Sequence, residues 1–422
     1  MFQIKRLQAR EILDSRGRPT VWARCELRSG AVAAVSVPSG ASTGAAEAWE
    51  LRDGDPQRYR GLGCRQAVAH IEGEIQRTLT GCTIEGQQEL DSILVALDGT
   101  LNKARLGANA LLAVSLAFAR VCAVEEGIPL YQHFANLLGQ PLRTLPRLTI
   151  NLFSGGKHAG GQAPIQDVLI VPAAATTIDE GMATTYAVYQ SAAALIKRKY
   201  GARALTADEG GLAPDFVDAE SMLGDAVQAI QEAGFAPGSQ VALAVDVASS
   251  HFFVDGHYQL DTTLTTQQMI ETLAAWVERY PIVSVEDGLA EDAWADWPQL
   301  RQQLGQRALV LGDDFLCTNP QRIRRAIETN AANALLLKVN QIGSLSEAMQ
   351  SLQLARNAGW KVTISARSGE TEDDWLADLA VGWAGDQIKV GSITHSERLA
   401  KYNRLLQIES ETGLSVVKWP LS

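Results

Sequence analysis

Six short and almost wholly apolar runs recur in the C-terminal two thirds of the chain, and a stretch with helical periodicity follows each run. The polar residues at the ends of these runs are Asp246, Glu286, Asp313, Lys338, Arg367 and Lys389. They are separated by 22 to 40 residues, and a strand, a helix and two short loops need roughly 25–30 residues. The spacing therefore predicts a series of βα units.

The composition of the runs predicts how the strands are arranged. Strands that are apolar on both faces are typical of a parallel sheet covered by helices. One further strand is predicted on each side of the loop Ser154–Ile165, which brings the number to eight. We therefore predict a closed eight-stranded β/α barrel over residues 140–422 rather than an open sheet.

The N-terminal part of the chain has a different pattern. Its alternating runs, which suit an antiparallel sheet, are Phe2–Leu13, Thr20–Leu27 and Ala31–Val37. Helical periodicity then continues to Gly127, and strands followed by helices predict a separate α+β domain over residues 1–136. The segment Leu138–Pro146 contains one glycine and two prolines and is typical of a linker.

Charge and cysteine content narrow the function class and the compartment. The net charge of −11 argues against a nucleic-acid partner and against an anionic membrane surface, since both need concentrated lysine and arginine. Five scattered cysteines without a CxxC pair predict reduced thiols in a cytoplasmic protein. No apolar segment of signal-peptide length is found at the N-terminus. The most apolar helical run, Ala110–Ala119, is too short to span a bilayer.

Three successive strand ends carry carboxylates. The C-terminal ends of barrel strands meet at one mouth, so Asp246, Glu286 and Asp313 are expected to converge there. Three carboxylates repel one another unless a cation lies between them, and an all-oxygen ligand set favours Mg²⁺ or Mn²⁺ over zinc. The alternative is that each acid caps the helix that follows it. Spacing alone does not choose between Asp313 and the adjacent Asp314.

The other candidate residues are a lysine, an acidic turn and two loops. Burial of Lys338 beside cations would disfavour its charged form, so this lysine is either a base or a counter-ion to the carboxylates. The string TADEGGLAP holds Asp208 and Glu209 before two glycines, either as a plain turn or as a general acid paired with that base. The loops Pro38–Gly44 and Ser154–Gly161 suit lids over a phosphorylated substrate, or are ordinary loops.

Strings along almost the whole chain resemble the enolase family. They are DSRGRPT from Asp14, PSGASTG from Pro38, ELRDGD from Glu50, LGANALLAVSLA from Leu106, ADEGGLAP from Ala207, SVEDGL from Ser284, LGDDF from Leu311, LLLKVNQIGSL from Leu335 and RSGETED from Arg367. The resemblance implies a Mg²⁺-dependent lyase of glycolysis that interconverts 2-phosphoglycerate and phosphoenolpyruvate. A lysine base working with Mg²⁺ is the known pattern of this superfamily. A small phosphorylated acid is the implied partner, and a homodimer or higher homo-oligomer the implied assembly.

The resemblance also implies a role for each candidate residue. Lys338 would remove the C2 proton of the substrate and Glu209 would protonate the leaving C3 hydroxyl. Lys389 would assist at the substrate carboxylate, and His158 would close over the site. The implied metal ligands are Asp246, Glu286 and Asp313 for a first Mg²⁺ and Ser42 for a second. The implied substrate-binding residues are Gln166, Asp167, Arg367 and Ser368.

Four positions depart from the residues that are usual in the family. Ala366 replaces a histidine, Asp167 a glutamate, and Ser154 and Arg18 each an asparagine. Ala366 and Asp167 lie in or beside the expected pocket. They favour a second hypothesis, a lyase for a phosphonate analogue similar to carboxyphosphonoenolpyruvate synthase. A sugar-acid dehydratase is disfavoured by the phosphate-binding pair and the lid loops, and a non-catalytic derivative by the cost of clustering carboxylates.

Overall fold

The computed structural model describes residues 1–41, 44–201 and 205–418. Its N-terminal strands are β1 (Phe2–Leu13), β2 (Pro19–Leu27), β3 (Val32–Ser36) and β4 (Thr83–Ile84). They form an antiparallel sheet in the order β3-β2-β1-β4. The helices of this part are α1 (Arg65–His70), α2 (Gln76–Leu79), α3 (Gln87–Asp98), α4 (Ala108–Glu126) and α5 (Leu130–Leu137). Sheet and helices together form the predicted α+β domain.

Helix α4 is the core of the N-terminal domain and packs against β2 and β3. It is mostly apolar on all sides. Gly127 follows its last residue and has a φ of +66°, the left-handed conformation that glycine adopts most readily. The helix is longer than the run Ala110–Ala119 and is apolar enough to cross a membrane by length and composition alone. However, 83% of its most apolar window is buried inside the protein, as in a core helix.

The rest of the chain alternates strands and helices. The strands are β5 (Arg147–Ser154), β6 (Asp167–Val171), β7 (Ala242–Asp246), β8 (Phe253–Val254), β9 (His257–Gln259), β10 (Thr263–Leu264), β11 (Ile282–Glu286), β12 (Leu309–Gly312), β13 (Ala334–Leu337), β14 (Lys361–Ser365) and β15 (Gln387–Gly391). The helices are α6 (Ile178–Tyr200), α7 (Ala219–Glu232), α8 (Thr266–Arg279), α9 (Trp297–Leu304), α10 (Pro320–Glu328), α11 (Val339–Ile342), α12 (Leu345–Asn357), α13 (Trp375–Gly382) and α14 (Ser396–Thr412).

Eight of these strands form a closed barrel in the order β5-β6-β7-β11-β12-β13-β14-β15, which confirms the predicted fold class. Strands β8, β9 and β10 form a separate small sheet. One feature differs from a uniformly parallel barrel, because β6 is antiparallel to both β5 and β7. Residues 155–166 join β5 to β6 without an α-helix. A parallel pair needs a crossover connection, usually helical, so these two strands form an antiparallel hairpin instead.

The barrel topology brings the polar strand ends to one mouth. Asp246 and Glu286 are the last residues of β7 and β11 and are direct partners in the parallel ladder. Asp313 and Lys338 follow β12 and β13 immediately. The N-terminal domain docks at the same mouth, where Ser39 pairs its backbone with Gly369 beyond the end of β14. The site is therefore built from both parts of the chain.

Candidate active site

A cavity lies at the mouth of the barrel. Its lining residues are Ala41, His158, Gln166, Glu209, Asp246, Lys338, Ser365, Ala366, Arg367, Ser368 and Lys389. Most of the candidate residues thus share one cavity. Asp167, Glu286 and Asp313 are buried behind its wall. Ser42, the expected ligand of a second metal, lies outside the described residues.

Lys389 connects two of the expected metal ligands. Its Nζ donates to Asp246 Oδ2 at 2.8 Å and to both carboxylate oxygens of Glu286 at 2.9 and 2.8 Å. Burial acts against ionisation of Asp246, but the charge and hydrogen bond of Lys389, together with the charges of Lys338 and His158, lower the pKa of Asp246 to about 2. Burial and the negative charge of Asp246 raise the pKa of Glu286 well above its ordinary value. One ammonium group therefore does not neutralise both carboxylates.

Lys338 lies against the third expected ligand. Its Nζ donates to Asp313 Oδ2, and its side chain is only 12% exposed. Burial is the largest influence and lowers the pKa of Lys338, but the negative charges around it, first of all Asp313 and then Glu286, together raise it above the ordinary value. The other oxygen of Asp313 accepts from Gln341 Nε2 at 2.8 Å, and Gln341 Oε1 accepts from Thr318 at 2.7 Å. The position of Asp313 is therefore fixed from two sides.

Asp287 was not identified from the sequence. Its carboxylate accepts backbone N–H groups of Asp313 at 2.9 Å and of Asp314 at 2.8 Å, and so holds the loop after β12. Burial and the charge of Asp313 raise the pKa of Asp287 well above its ordinary value. The residue directly follows Glu286 in the string SVEDGL. The string therefore contains Asp287, but the sequence does not show that its carboxylate binds the backbone at the end of the next strand, β12.

The acidic residues of the mouth fit a hard divalent cation. Among the described residues, two groups of three side chains have possible ligand atoms within 4.8 Å of one another, and they are Asp287/Asp313/Asp314 and His158/Asp167/Glu209. Asp246, Glu286 and Asp313 do not form such a group, since the two ammonium groups lie against them instead. Gln166 donates to Asp246 at 3.1 Å, while its Oε1 is buried and accepts no hydrogen bond within the described chain. This oxygen and the excess negative charge both favour a bound cation.

Glu209 and His158 lie together on the other side of the cavity. Asn151 Nδ2 in β5 donates to Glu209 Oε2 at 3.0 Å, and His158 Nε2 lies 3.7 Å from Glu209 Oε1. Burial acts against ionisation of Glu209, but the charge of His158 lowers its pKa. Burial likewise opposes the charge of His158, yet Glu209 and Asp167 raise its pKa to about 9.

The barrel order separates the two candidate proton-transfer residues. Lys338 follows β13, which is three strands away from β5 in the ring of eight. Glu209 lies over β5, where Asn151 donates to its carboxylate and Leu212 of its loop forms a backbone bridge with Phe153. Lys338 and Glu209 therefore reach the same cavity from different parts of the barrel wall.

Arg367 and Ser368 are fixed by residues that sequence reasoning missed. Glu47 binds the Arg367 guanidinium with both carboxylate oxygens, at 3.0 and 3.2 Å, and Asn340 accepts from it at 3.0 Å. Burial lowers the pKa of Arg367, but Glu47 outweighs this and raises it. Arg16, from the N-terminal domain, donates to Ser368 Oγ at 2.9 Å. Arg16 and Asn340 lie inside the strings DSRGRPT and LLLKVNQIGSL, which signal the family but not these contacts.

Comparison with protein families agrees with this architecture. Residues 4–134 match the family described as the enolase N-terminal domain. Residues 142–418 match the family described as the enolase C-terminal TIM barrel domain. These matches support an enzyme of the lyase type with acidic groups able to hold a metal. Since the two matches span nearly all of the chain, in the order of its two structural parts, the protein belongs to the enolase family.

Proposed function

We propose that this protein is a Mg²⁺-dependent enolase that interconverts 2-phosphoglycerate and phosphoenolpyruvate plus water. The observation that carries the proposal is that Lys338 and Glu209 line one cavity and reach it from different strands of the barrel. Loss of water across a C2–C3 bond needs a base for the C2 proton and an acid for the departing C3 hydroxide. A lysine and a carboxyl group that line one cavity would meet both needs.

The charges around the cavity suit a substrate with a carboxylate and a phosphate. Removing a proton next to a carboxylate builds a second negative charge on that group, and the buried Lys389 ammonium would stabilise it. Arg367 and Ser368 would bind the phosphate through a guanidinium and a hydroxyl. Asp246, Glu286 and Asp313 would hold a magnesium ion, which would supply further positive charge beside the substrate carboxylate.

The proton for the departing hydroxide would come from the Glu209 side. Glu209 Oε1 and His158 Nε2 lie 3.7 Å apart, which is an ion-pair contact that is longer than a hydrogen bond. Because the charge of His158 lowers the pKa of Glu209, the resting pair keeps its proton mainly on the imidazole. Glu209 would then act as an acid with His158 beside it as the proton reserve.

The setting that we propose is cytoplasmic glycolysis, with the chain assembled as a homodimer or higher homo-oligomer. All five cysteines are unpaired in the structure, which is the state expected in a reducing compartment. The expected partner is the small phosphorylated acid, and neither a nucleic acid nor a membrane is expected as a partner.

The direct test is a spectrophotometric assay of phosphoenolpyruvate formation from 2-phosphoglycerate with Mg²⁺. We expect turnover by the purified protein and the reverse hydration of phosphoenolpyruvate. No reaction in either direction under conditions in which an ordinary enolase is active would reject the proposed substrate.

A second candidate function is supported by Ala366. This residue lines the cavity with a methyl group, at the position where the family usually has an imidazole. Its backbone N–H donates to Lys389 O at 2.8 Å, so the chain itself is held in place and only the ring is missing. The vacated space would accommodate a bulkier substrate, and a phosphonate analogue of the same acid keeps the carboxylate and an anionic phosphorus group.

The variant Ala366→His separates these two functions. A well-placed catalytic donor contributes roughly 10²–10³-fold to the rate, so the restored ring is expected to raise kcat/KM for 2-phosphoglycerate or leave it unchanged. If a phosphonate is the native substrate, the same variant should turn it over more slowly, because the ring would fill the space that it needs. A parent protein already as fast as ordinary enolases on 2-phosphoglycerate would contradict a changed substrate. Ala384→His, outside the cavity, controls for the added imidazole.

A further inference from the structure

Asp167 was expected to bind substrate, but it lies behind the cavity wall. Its side chain has no exposed surface, and it is absent from the residues that line the cavity. Both of its carboxylate oxygens are already used. Oδ2 accepts from His158 Nδ1 at 3.0 Å, and Oδ1 accepts from Ser154 Oγ at 2.6 Å. Of the two side chains that bond to its carboxylate, His158 is the one that lines the cavity.

We propose that Ser154 and Asp167 together act as positioning residues that fix the His158 ring with Nε2 directed at Glu209 and the cavity. A carboxylate only accepts hydrogen bonds, so the hydrogen between His158 and Asp167 resides on Nδ1. The other ring nitrogen then points to the side of Glu209, 3.7 Å away. Ser154 keeps the carboxylate from rotating away from the ring, because its hydroxyl holds the second oxygen.

Ser154 also connects this support to the loop that carries Glu209. Its backbone N–H donates to Leu212 O at 2.9 Å, and its carbonyl accepts from Gln162 Nε2 at 3.1 Å. A side chain at position 211 would collide with Ser154 Oγ, so Gly211 allows the loop to lie directly on the serine. One small residue thus sets the spacing between the Glu209 loop, the His158 loop and Asp167.

Two of the four departures from the family pattern are therefore in direct contact. Ser154 and Asp167 are both shorter than the residues that are usual at these positions, and they bond to each other. His158 is the one imidazole in the cavity lining of the described chain, since position 366 is alanine. Ser154 and Asp167 thus hold the His158 ring from the side that faces away from the cavity. The raised pKa of His158, about 9, is consistent with a ring that also carries a hydrogen on Nε2.

The test combines the nitrogen chemical shifts of the His158 ring with steady-state kinetics. The chain contains six histidines, and the His158 signals are identified by their loss in His158→Gln. In the parent protein we expect a hydrogen bound to Nδ1. In Asp167→Asn, which keeps the shape but not the charge, the Nε2-protonated form should become populated above the pKa of the ring. Ser154→Ala should cause the same change to a smaller degree.

The kinetic part rests on the proposed function, while the ring measurement does not. With 2-phosphoglycerate, Asp167→Asn is expected to lower kcat by roughly 10- to 100-fold, as when a carboxylate that orients an imidazole is lost. KM should stay within about two-fold, because residue 167 has no surface in the cavity. Ser154→Ala should lower kcat only a few-fold, as for one lost hydrogen bond. Asp179→Asn, which removes an exposed charge in the first turn of α6, is the matched control and should leave both quantities unchanged.

Each outcome decides one claim. A parent ring with its hydrogen on Nε2 alone, or ring shifts that do not change in Asp167→Asn, would overturn the positioning role. A large rise in KM with little change in kcat would show that Asp167 contacts the substrate after all. If the parent protein does not turn over 2-phosphoglycerate, the proposed function fails, and the ring measurement still decides whether Ser154 and Asp167 hold His158.

Discussion

Lys338→Ala should stop the exchange of the C2 proton of 2-phosphoglycerate with solvent. Lys338 lines the same cavity as Glu209, and its Nζ is held by Asp313 at the end of the neighbouring strand. Removing a positioned proton-transfer group costs roughly 10²–10⁴-fold in rate. We expect both exchange and phosphoenolpyruvate formation to fall by at least this factor. Exchange is measured by loss of the C2 proton signal in ²H₂O.

Glu209→Gln should separate the two proton transfers. Glutamine keeps the shape of the side chain and still accepts the hydrogen bond from Asn151, but it cannot donate a carboxyl proton. If proton removal at C2 precedes loss of hydroxide, exchange should continue while dehydration falls by a similar factor. Loss of both activities in Glu209→Gln would contradict a stepwise order with Lys338 as the only base.

The control for the base assignment is Lys361→Ala. Lys361 begins β14, far from the mouth in strand direction, and forms a half-exposed ion pair with Asp386. The variant Lys361→Ala should leave exchange and turnover nearly unchanged. Exposed ion pairs contribute little to stability, so its fold should be retained, and Lys361 lies outside the site. If Lys338→Ala still exchanged the C2 proton at the parent rate, the base would have to be another group.

Much of the barrel could be predicted because its signals are local. An apolar run that ends in Asp246 or Glu286 is buried on both faces and ends at a polar mouth, and both properties are visible in the sequence. The direction of β6 was not predicted from these runs. It depends on the connection before the strand, which is too short and irregular to form a crossover helix.

The site could be predicted as a set of residues but not as a network. Residues such as Lys338 and Asp313 are marked by their places at strand ends. Glu47 and Asn151 carry no such mark, since their roles come from contacts with Arg367 and Glu209, which lie far away in the chain. The sequence predicts which side chains lie at the mouth of the barrel, but their contacts depend on tertiary packing.

The choice between Asp313 and Asp314 shows where this limit lies. Both residues have backbone N–H groups bonded to Asp287, so their main-chain environments are nearly equivalent. Only the Asp313 side chain bonds to Lys338. Burial and the charge of Asp313 raise the pKa of Asp314 to about 7, so the neighbouring acid tends to retain a proton. The two residues differ in the direction of their side chains, and this direction cannot be predicted from the spacing of residues in the sequence.

Removal of metal should abolish activity, and Mg²⁺ should restore it. In EDTA-treated protein we expect no measurable phosphoenolpyruvate formation and full recovery after Mg²⁺ is added in excess. Binding is also measurable without turnover, because a ligand at 100 times its Kd stabilises the folded state by about 2.7 kcal/mol and raises Tm. Full turnover by protein shown to be free of metal would exclude the assigned cofactor.

The same two measurements identify the ligands. Asp246→Ala, Glu286→Ala and Asp313→Ala should each abolish turnover and the Mg²⁺-dependent rise in Tm. Because removing one partner of a buried ion pair typically costs about 3–5 kcal/mol, the shape-conserving Asp246→Asn and Asp313→Asn are measured beside them. Glu271→Ala, an exposed change on α8, controls for loss of a carboxylate.

Asp314→Asn distinguishes the expected ligand set from the most compact acidic group. If the metal lies with Asp246, Glu286 and Asp313, this variant should keep the Mg²⁺-dependent rise in Tm, since Asp314 does not contact Lys338 or Lys389. If the group Asp287/Asp313/Asp314 holds the metal instead, Asp314→Asn should lose the rise and Asp246→Asn should keep it. Asp313 belongs to both sets, so its variants do not distinguish them. The two sets are distinguished by Asp314→Asn and Asp246→Asn, which change residues that belong to one set only.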